Sequence, residues 1–328
     1  MKPTLKTTLA AIGLAASTLV GSPALAEKWN MPVRSNERNY FTRNIIQFAE
    51  EVKKTTNGEL EIVIHPETSL IKQPDVKRGV QTAQVQIGEL LMSMHSNESA
   101  LFGVDSVPFL ASTSEEGAKL LKVMRPLLEE RLAKQGMRLL FVVPWPFNSF
   151  YSGKEISSTT DFKGVKFRAF NPVTGRLAEL MGAVPVTVQQ SEVSQAFSTG
   201  VIEAMITSPA TGVDTQAWDF VKYFYEVKAM APWNIVVAND RIFQRLDKKT
   251  QDAVLTAAKT AEERGWKMRD EETGKLVQTL KDKGMTVRQP NPALMAELQK
   301  IGEQLVTEWS KSAGDDGPRI LEQYRKAN

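Results

Sequence analysis

Cysteine is absent from the 328 residues, and the chain has only two histidines, His65 and His95, which lie thirty positions apart. Without thiols the chain can form no disulfide, thiolate metal site or iron–sulfur cluster. The histidines also lack the close spacing that lets two imidazoles share a metal. No P-loop, G-x-G-x-x-G, G-x-S-x-G or H-E-x-x-H motif is present. We therefore predict no catalytic residue, no metal and no cofactor.

Net charge is small as well. The formal value is +3 at pH 7, and the basic and acidic residues are interspersed along the chain. Proteins that bind nucleic acid present a clustered basic face, and membrane-surface segments present runs of lysine and arginine. The charge pattern therefore predicts no nucleic-acid partner.

The longest apolar run lies at the N terminus. Lys2 and Lys6 precede the run, which extends from Leu9 to Val20, and residues 24–26 read Ala-Leu-Ala. The run is too short to span a bilayer, and the pattern is typical of an export signal with an A-x-A cleavage site. We expect cleavage after Ala26, a mature chain of 302 of the 328 residues, and a periplasmic location.

Helical and strand patterns alternate from Trp29 to about Pro232, which indicates an α/β fold. Helices are predicted at residues 40–55, 75–82, 115–136, 173–181 and 192–199. Strands are predicted at residues 60–64, 85–91, 137–143, 164–170, 184–188 and 201–206. Pro126 should kink or split its helix. The apolar run 137–143 has the composition of a strand buried in a parallel sheet.

The last third of the chain is predicted to be helical. Residues 247–283 contain no proline and follow a helical pattern, and a helix of that length would cross a whole small domain. Two further helices are predicted at residues 292–310 and 318–324.

Short motifs follow one another in a fixed order behind the predicted signal. They are Phe48-Ala49-Glu50-Glu51-Val52 with Asn57-Gly58, Thr68-Ser69-Leu70, Gly88-Glu89, Val107-Pro108-Phe109-Leu110, Phe162-Lys163-Gly164-Val165-Lys166-Phe167-Arg168, Gly182-Ala183-Val184-Pro185, Ser191-Glu192-Val193 and Gly200-Val201-Ile202-Glu203. Together they resemble the substrate-binding proteins of tripartite ATP-independent periplasmic (TRAP) transporters, a group often labelled C4-dicarboxylate-binding. The resemblance covers nearly all of the chain after residue 26.

The resemblance implies a two-lobed α/β solute-binding protein with a cleft between the lobes and a long bracing helix. We predict lobe I at residues 27–146 plus about 235–272, and lobe II at 147–234 plus about 273–328. The implied function is capture of a small organic acid anion, without catalysis, for delivery to TRAP membrane subunits. We expect a monomer.

The resemblance also implies that Arg168 binds the ligand's carboxylate. Strand alternation independently places Lys166, Arg168 and Phe170 on one face, and without the resemblance that face would be expected to be solvated. A guanidinium offers a two-donor fork that matches a carboxylate.

Nine further positions are predicted around the cleft. They are Glu89, Trp145, Phe147, Asn148, Phe170, Asn171, Thr207, Ser208 and Trp233. Some relatives that bind sugar acids have Asn before the proline that is here Pro209. Ser208 in that place argues against a sialic-acid type of ligand and makes Thr207 or Ser208 a hydroxyl donor. The aromatic residues favour a ligand with an apolar or planar part, although they could instead pack a hinge, and Glu89 could instead be a charge at a helix N-terminus.

Two other functions stay open at the level of sequence. A secreted hydrolase could use carboxylates alone, since aspartate and glutamate are plentiful. The same binding fold could instead serve a sensor kinase as its ligand receptor.

Overall fold

The structure is a computed structural model that describes residues 26–327. The predicted export signal, apart from Ala26, lies outside the described residues. No helix within residues 26–327 combines the length and the apolar character needed to cross a membrane.

The described range contains ten α-helices. They are α1 (Tyr40–Thr55), α2 (Gln73–Gln81), α3 (Ser114–Ala133), α4 (Pro172–Leu180), α5 (Val193–Ser198), α6 (Pro209–Asp214), α7 (Asp240–Phe243), α8 (Lys248–Asp282), α9 (Pro292–Ser312) and α10 (Asp316–Lys326). The strands of the same range are β1 (Glu27–Pro32), β2 (Leu60–His65), β3 (Ile87–Leu91), β4 (Met137–Pro144), β5 (Ser149–Ser152), β6 (Lys166–Ala169), β7 (Val184–Thr187), β8 (Ala204–Thr207), β9 (Tyr223–Tyr225), β10 (Trp233–Asn239) and β11 (Thr286–Arg288).

The strands form two layers. In the first layer the parallel pair β1–β2 packs beside an antiparallel sheet of order β3-β10-β4. The second layer is a mixed sheet of order β11-β9-β5-β8-β6-β7. The predicted α/β architecture with two lobes is confirmed, while the residue boundaries proposed for the lobes stay a prediction.

Two of the segments that cross between the layers, residues 145–148 and 229–232, run side by side. The amide of Trp145 donates to the carbonyl of Pro232 at 2.8 Å, and the amide of Asn148 donates to the carbonyl of Met230 at 2.7 Å. The carbonyl of Asn148 accepts from the amide of Ala229 at 2.9 Å. These main-chain bonds join the segments about which the two layers could rotate.

The pairing of strand β4 differs from the sequence prediction. The strand forms where expected, but it pairs antiparallel with β10 and does not belong to a parallel sheet. Its apolar run is buried because α3 and α8 both pack against it. At its outer edge the amide of Val142 donates to Glu262 at 2.8 Å, and the carbonyl of Val142 accepts from Trp266 Nε1 at 3.0 Å. The apolar run therefore indicates that the strand is buried, but it does not indicate whether the strand pairs parallel or antiparallel.

The sequence predicts that Pro126 kinks or splits its helix, and the structure excludes the split. Helix α3 continues without interruption from Ser114 to Ala133, so the expected split does not occur. Leu120, Leu121, Met124 and Leu128 are buried on both sides of the proline. Burial of this apolar face holds the helix together although Pro126 removes one main-chain hydrogen bond.

Helix α8 is the predicted brace. It has 35 residues, which corresponds to about 50 Å. Val254 and Ala261, in its first half, belong to the larger apolar core, whereas Leu280 near its end belongs to the smaller core of the second layer. One rigid element therefore contacts both layers, as the sequence indicated.

Candidate ligand-binding site

A small, partly open cavity lies where the crossings meet the edge of the second sheet. The parallel strands β6 and β8 end at this edge, and the antiparallel strand β5 begins there. In open α/β sheets, ligands bind outside the carboxyl ends of the strands. The lining residues are Arg34, Leu91, Trp145, Asn148, Arg168, Phe170, Thr207, Ser208, Thr211 and Pro232. Six of them are residues that the sequence predicted.

Arg168 lies on β6 and is 1% exposed. Its Nε donates to the carbonyl of Val188 at 3.0 Å, and its guanidinium carbon lies 5.6 Å from the centre of the Phe170 ring. Nη1 is inaccessible to solvent and has no hydrogen-bond partner within residues 26–327. Burial, together with the nearby charge of Arg34, lowers the pKa of Arg168 to about 9. The side chain is therefore still a cation at neutral pH, with a free donor and no carboxylate paired to it in the described part of the chain.

Arg34 is a second arginine in the cavity, and no sequence pattern selects it. It lies in the irregular loop between β1 and α1, with its guanidinium carbon 5.6 Å from the centre of the Trp145 ring. Its Nε is buried and also has no hydrogen-bond partner in the described residues. Burial lowers the pKa of Arg34, against the opposing effect of the Glu89 and Asp214 carboxylates. No periodic pattern marks such a position, because only the tertiary fold brings the loop to the cavity.

Glu89 does not line the cavity but lies behind Arg34. It is 0% exposed on β3, and its Oε2 accepts from the backbone amide of Arg34 at 2.8 Å. Its Oε1 accepts from Asn234 Nδ2, and Asn234 Oδ1 in turn accepts from Trp145 Nε1 at 2.9 Å. Burial raises the pKa of Glu89 to about 7 even though Arg34 acts to lower it.

Short polar side chains form another part of the wall. Ser208 caps α6, since its Oγ accepts from the amide of Thr211 at 3.1 Å and donates to Thr211 Oγ1 at 3.3 Å. Thr207 ends β8 and is 5% exposed, and Asn148 is 2% exposed just before β5. The cavity therefore presents hydroxyls and one amide beside its two guanidinium groups.

Besides Glu89, three of the predicted positions lie outside the cavity. Asn171 caps α4, and its Nδ2 donates to Ser93 Oγ at 2.8 Å and Ser106 Oγ at 3.0 Å, so its hydrogen-bonding groups are occupied. Phe147 and Trp233 line a neighbouring cavity next to α8. Any part these three residues take in binding stays a prediction.

Metal ligation finds no support in the described residues. Among residues 26–327, no group of three or more histidine, cysteine, aspartate or glutamate side chains is placed to hold a metal ion.

Comparison with curated proteins gives relatives of modest identity. The solute-binding protein RD1_1052 of Roseobacter denitrificans is 26% identical over 265 residues, which are 76% of this chain and 80% of that protein. The C4-dicarboxylate-binding periplasmic protein DctP of Rhodobacter capsulatus is 24% identical over 265 residues, 80% of this chain and 78% of the relative.

Solved structures give closer matches. DctP7 of Bordetella pertussis, described as an extracytoplasmic solute receptor binding pyroglutamic acid, is 51% identical with a TM-score of 0.90, covering 92% of this chain and 100% of its own. DctP6 of the same organism, described in the same words, is 40% identical with the same TM-score and coverage. A TRAP solute-binding protein from a marine metagenome, specific for pyroglutamate, is 37% identical with a TM-score of 0.90, covering 92% of this chain and 99% of its own.

The family profile of bacterial extracellular solute-binding proteins, family 7 (DctP), matches residues 34–312. That span is most of the chain and includes Arg34, Glu89, Arg168 and Ser208. The resemblance predicted from the ordered motifs is confirmed, and so is the role of solute receptor that it implied. The chain belongs to family 7 of the bacterial extracellular solute-binding proteins.

Proposed function

We propose that this protein is a periplasmic receptor for pyroglutamate, a five-membered lactam with a single carboxylate, and that it delivers this acid to TRAP membrane subunits. The observation that carries the proposal is the buried Arg168 with its free Nη1, beside Arg34, in a small cavity whose lining includes no acidic residue. Three receptors at 51%, 40% and 37% identity are described as binding the same acid, which supports this choice among organic acids.

The chemistry of the cavity suits each part of that ligand. A carboxylate would accept hydrogen bonds from Arg168 and supply its missing counter-charge. The ring would pack against Leu91, Phe170 and Pro232. The lactam N–H and C=O need partners when they leave water, and Asn148 and Thr207 are buried polar side chains within the same lining.

Contacts between the layers suggest how the ligand is enclosed. Asp214 of α6 accepts from Asn39 Nδ2 at 2.7 Å and from Asn36 Nδ2 at 3.4 Å, and both asparagines belong to the loop that precedes α1. We infer that an open form admits the acid and that rotation about the paired crossings brings these groups together. The predicted lobe boundaries would then separate the moving parts.

Three finer expectations belong to the same proposal. The chain is exported through cleavage after Ala26, it acts as a monomer, and it binds its ligand without converting it. The intact mass of protein recovered from the periplasm tests the cleavage site. Light scattering tests the monomer, and product analysis after prolonged incubation with pyroglutamate tests whether the ligand is converted.

The test of ligand identity is to denature freshly purified protein, identify released acids by mass spectrometry, and then follow thermal unfolding with a panel of acids. We expect pyroglutamate in the released fraction. Added at a hundred times its dissociation constant, it should stabilise the fold by about 2.7 kcal/mol. Proline is the matched control, because it keeps the ring and carboxylate but carries a charged nitrogen and no lactam oxygen. Stabilisation by a sugar acid or succinate but not by pyroglutamate would contradict the proposal.

A further inference from the structure

Arg34 holds a donor that the carboxylate at Arg168 need not use. Its Nε is inaccessible to solvent and lacks a hydrogen-bond partner in the described residues, while its guanidinium lies over Trp145. A buried N–H left unpaired costs free energy, so an acceptor supplied by the occupant of the cavity would be stabilising. The ligand should therefore carry a second acceptor, separate from the group at Arg168.

Glu89 determines which kind of acceptor that can be. Both of its oxygens accept hydrogen bonds, one from the Arg34 amide and one from Asn234 Nδ2. Trp145 fixes the orientation of the Asn234 amide by donating to its Oδ1. A carboxyl group that only accepts has the arrangement of the ionised form. When Glu89 is ionised, its negative charge therefore lies directly behind Arg34.

The charges of the site then leave room for one anionic group. Two guanidinium groups line the cavity, and Glu89 offsets the one at Arg34. The next acid, Asp214, interacts with both Arg34 and Arg38 at the outer side of the same loop. Arg168 has no carboxylate within 4 Å among residues 26–327. One positive charge, at Arg168, therefore lacks compensation.

We propose that Arg34 donates to a neutral acceptor of the ligand, such as the lactam oxygen, and that Glu89 is a positioning residue that restricts the ligand to a single negative charge. This inference rests on the proposed function and extends it to the exclusion of dicarboxylates. A second carboxylate at Arg34 would meet the charge of Glu89 in a poorly solvated site, where like charges repel strongly. A neutral carbonyl oxygen meets no such repulsion.

The test compares two five-carbon acids by isothermal titration calorimetry at pH 8. L-pyroglutamate has one charge, and glutarate has two and no ammonium group. The wild-type protein should prefer pyroglutamate. Glu89→Gln should narrow the ratio of the two dissociation constants by about tenfold or more, because the repulsion of the second carboxylate is removed. Glu308→Gln, which removes an acid that pairs with Arg176 away from the cavity, should leave the ratio unchanged.

A second variant guards against a folding defect, since glutamine at position 89 places an NH₂ group opposite one of two donors. Arg34→Gln keeps Glu89 but removes its compensating charge. Pyroglutamate then loses one hydrogen bond to a neutral oxygen, whereas glutarate loses the cation beside its second carboxylate and meets the full repulsion of Glu89. The preference for pyroglutamate over glutarate should therefore increase by about tenfold. A ratio that stays within about threefold of wild type in whichever variants remain folded overturns the inference and leaves the proposed function intact. If the wild-type protein binds glutarate as tightly as pyroglutamate, the inference is also overturned and the proposed function stays intact. A wild-type protein that binds neither acid overturns both.

Discussion

Asp105 is a buried acid outside the ligand cavity, and it shows how a single residue can set a pH dependence. Its Oδ2 accepts from the amide of Trp233 at 2.6 Å, whereas Oδ1 has no hydrogen-bond partner in the described residues. Burial raises the pKa of Asp105 to about 7, although the hydrogen bond from Trp233 acts to lower it. In an unfolded chain the pKa of aspartate is about 4.

The first prediction concerns Asp105→Asn. Between about pH 4 and pH 7 the folded state holds a proton that the unfolded state has lost, so the contribution of Asp105 to stability falls as pH rises through this window. From pH 5 to pH 7.5 the wild type should lose on the order of 2 kcal/mol more unfolding free energy than Asp105→Asn. Denaturant titrations of both ligand-free proteins measure this difference. Glu89 and Asp214, whose pKa values burial also raises, contribute to both proteins alike. If the unfolding free energies of wild type and Asp105→Asn change with pH in parallel, Asp105 is ionised in the folded protein and the prediction is wrong.

Arg168 and Arg34 show what the sequence reveals of a binding site at the residue scale. Arg168 follows a strand pattern inside a family motif, so its strand could be predicted, and the structure buries it at the cavity. Its role in holding a carboxylate stays a proposal. Arg34 sits in a loop without periodicity, and its place depends on a bond from its amide to Glu89, 55 positions away. Phe147 and Trp233 lie at the crossings, but proximity along the chain does not fix which cavity a side chain lines.

Helix α8 shows at the element scale how one glycine permits close packing. A Cβ at Gly265 would lie 2.7 Å from Asn44 Nδ2 on α1, and it would also overlap Val143 on β4. The Asn44 amide donates to the carbonyl of Ala261 at 2.8 Å, which ties α1 to α8 at this point. Gly274, further along the same helix, has no atom within 4 Å of the equivalent position.

The second prediction compares alanine at these two glycines. Gly265→Ala should destabilise the protein by about 1–3 kcal/mol, because α1 and β4 must move apart. Gly274→Ala should stabilise it by about 0.5–1 kcal/mol, since alanine has the higher helix propensity and the site is open. Urea denaturation of the three proteins tests both signs. Equal changes in the free energy of unfolding for Gly265→Ala and Gly274→Ala would mean that α8 does not pack against α1 and β4 as the structure shows.

The elements themselves were largely predictable, for local reasons. Helices α1 and α8 begin after capping residues Asn39 and Asp247 and carry clear apolar stripes, so their bounds were predicted to within about one residue. Strand direction was not predictable in the same way, because the composition of β4 reports burial by two helices and not the orientation of β10. The continuity of α3 through Pro126 likewise depends on packing that lies outside its own sequence.

At the scale of the whole molecule, the two layers meet at the candidate ligand cavity and along α8. Asn171 on the second layer donates to Ser93 and Ser106 on the first, and Asp214 accepts from the loop that precedes α1. These bonds between the layers surround the cavity lined by Arg168 and Arg34. Closure of the layers would therefore remove the ligand's carboxylate from water at the same time as it completes the cavity wall. In such a site the strength of binding depends on whether that carboxylate finds a partner.

The most direct test is a calorimetric titration of pyroglutamate into wild type, Arg168→Ala, Arg168→Lys and Arg176→Ala. Removing one partner of a buried charge pair costs roughly 3–5 kcal/mol, so Arg168→Ala should lose two or more decades of affinity. Lysine keeps the charge without the fork and should recover only part of the loss. Arg176 pairs with Glu308 at 3.0 Å on a half-exposed surface, and its loss should change affinity little. If folded Arg168→Ala binds pyroglutamate within about threefold of wild type, Arg168 does not hold the carboxylate and the proposed site is wrong.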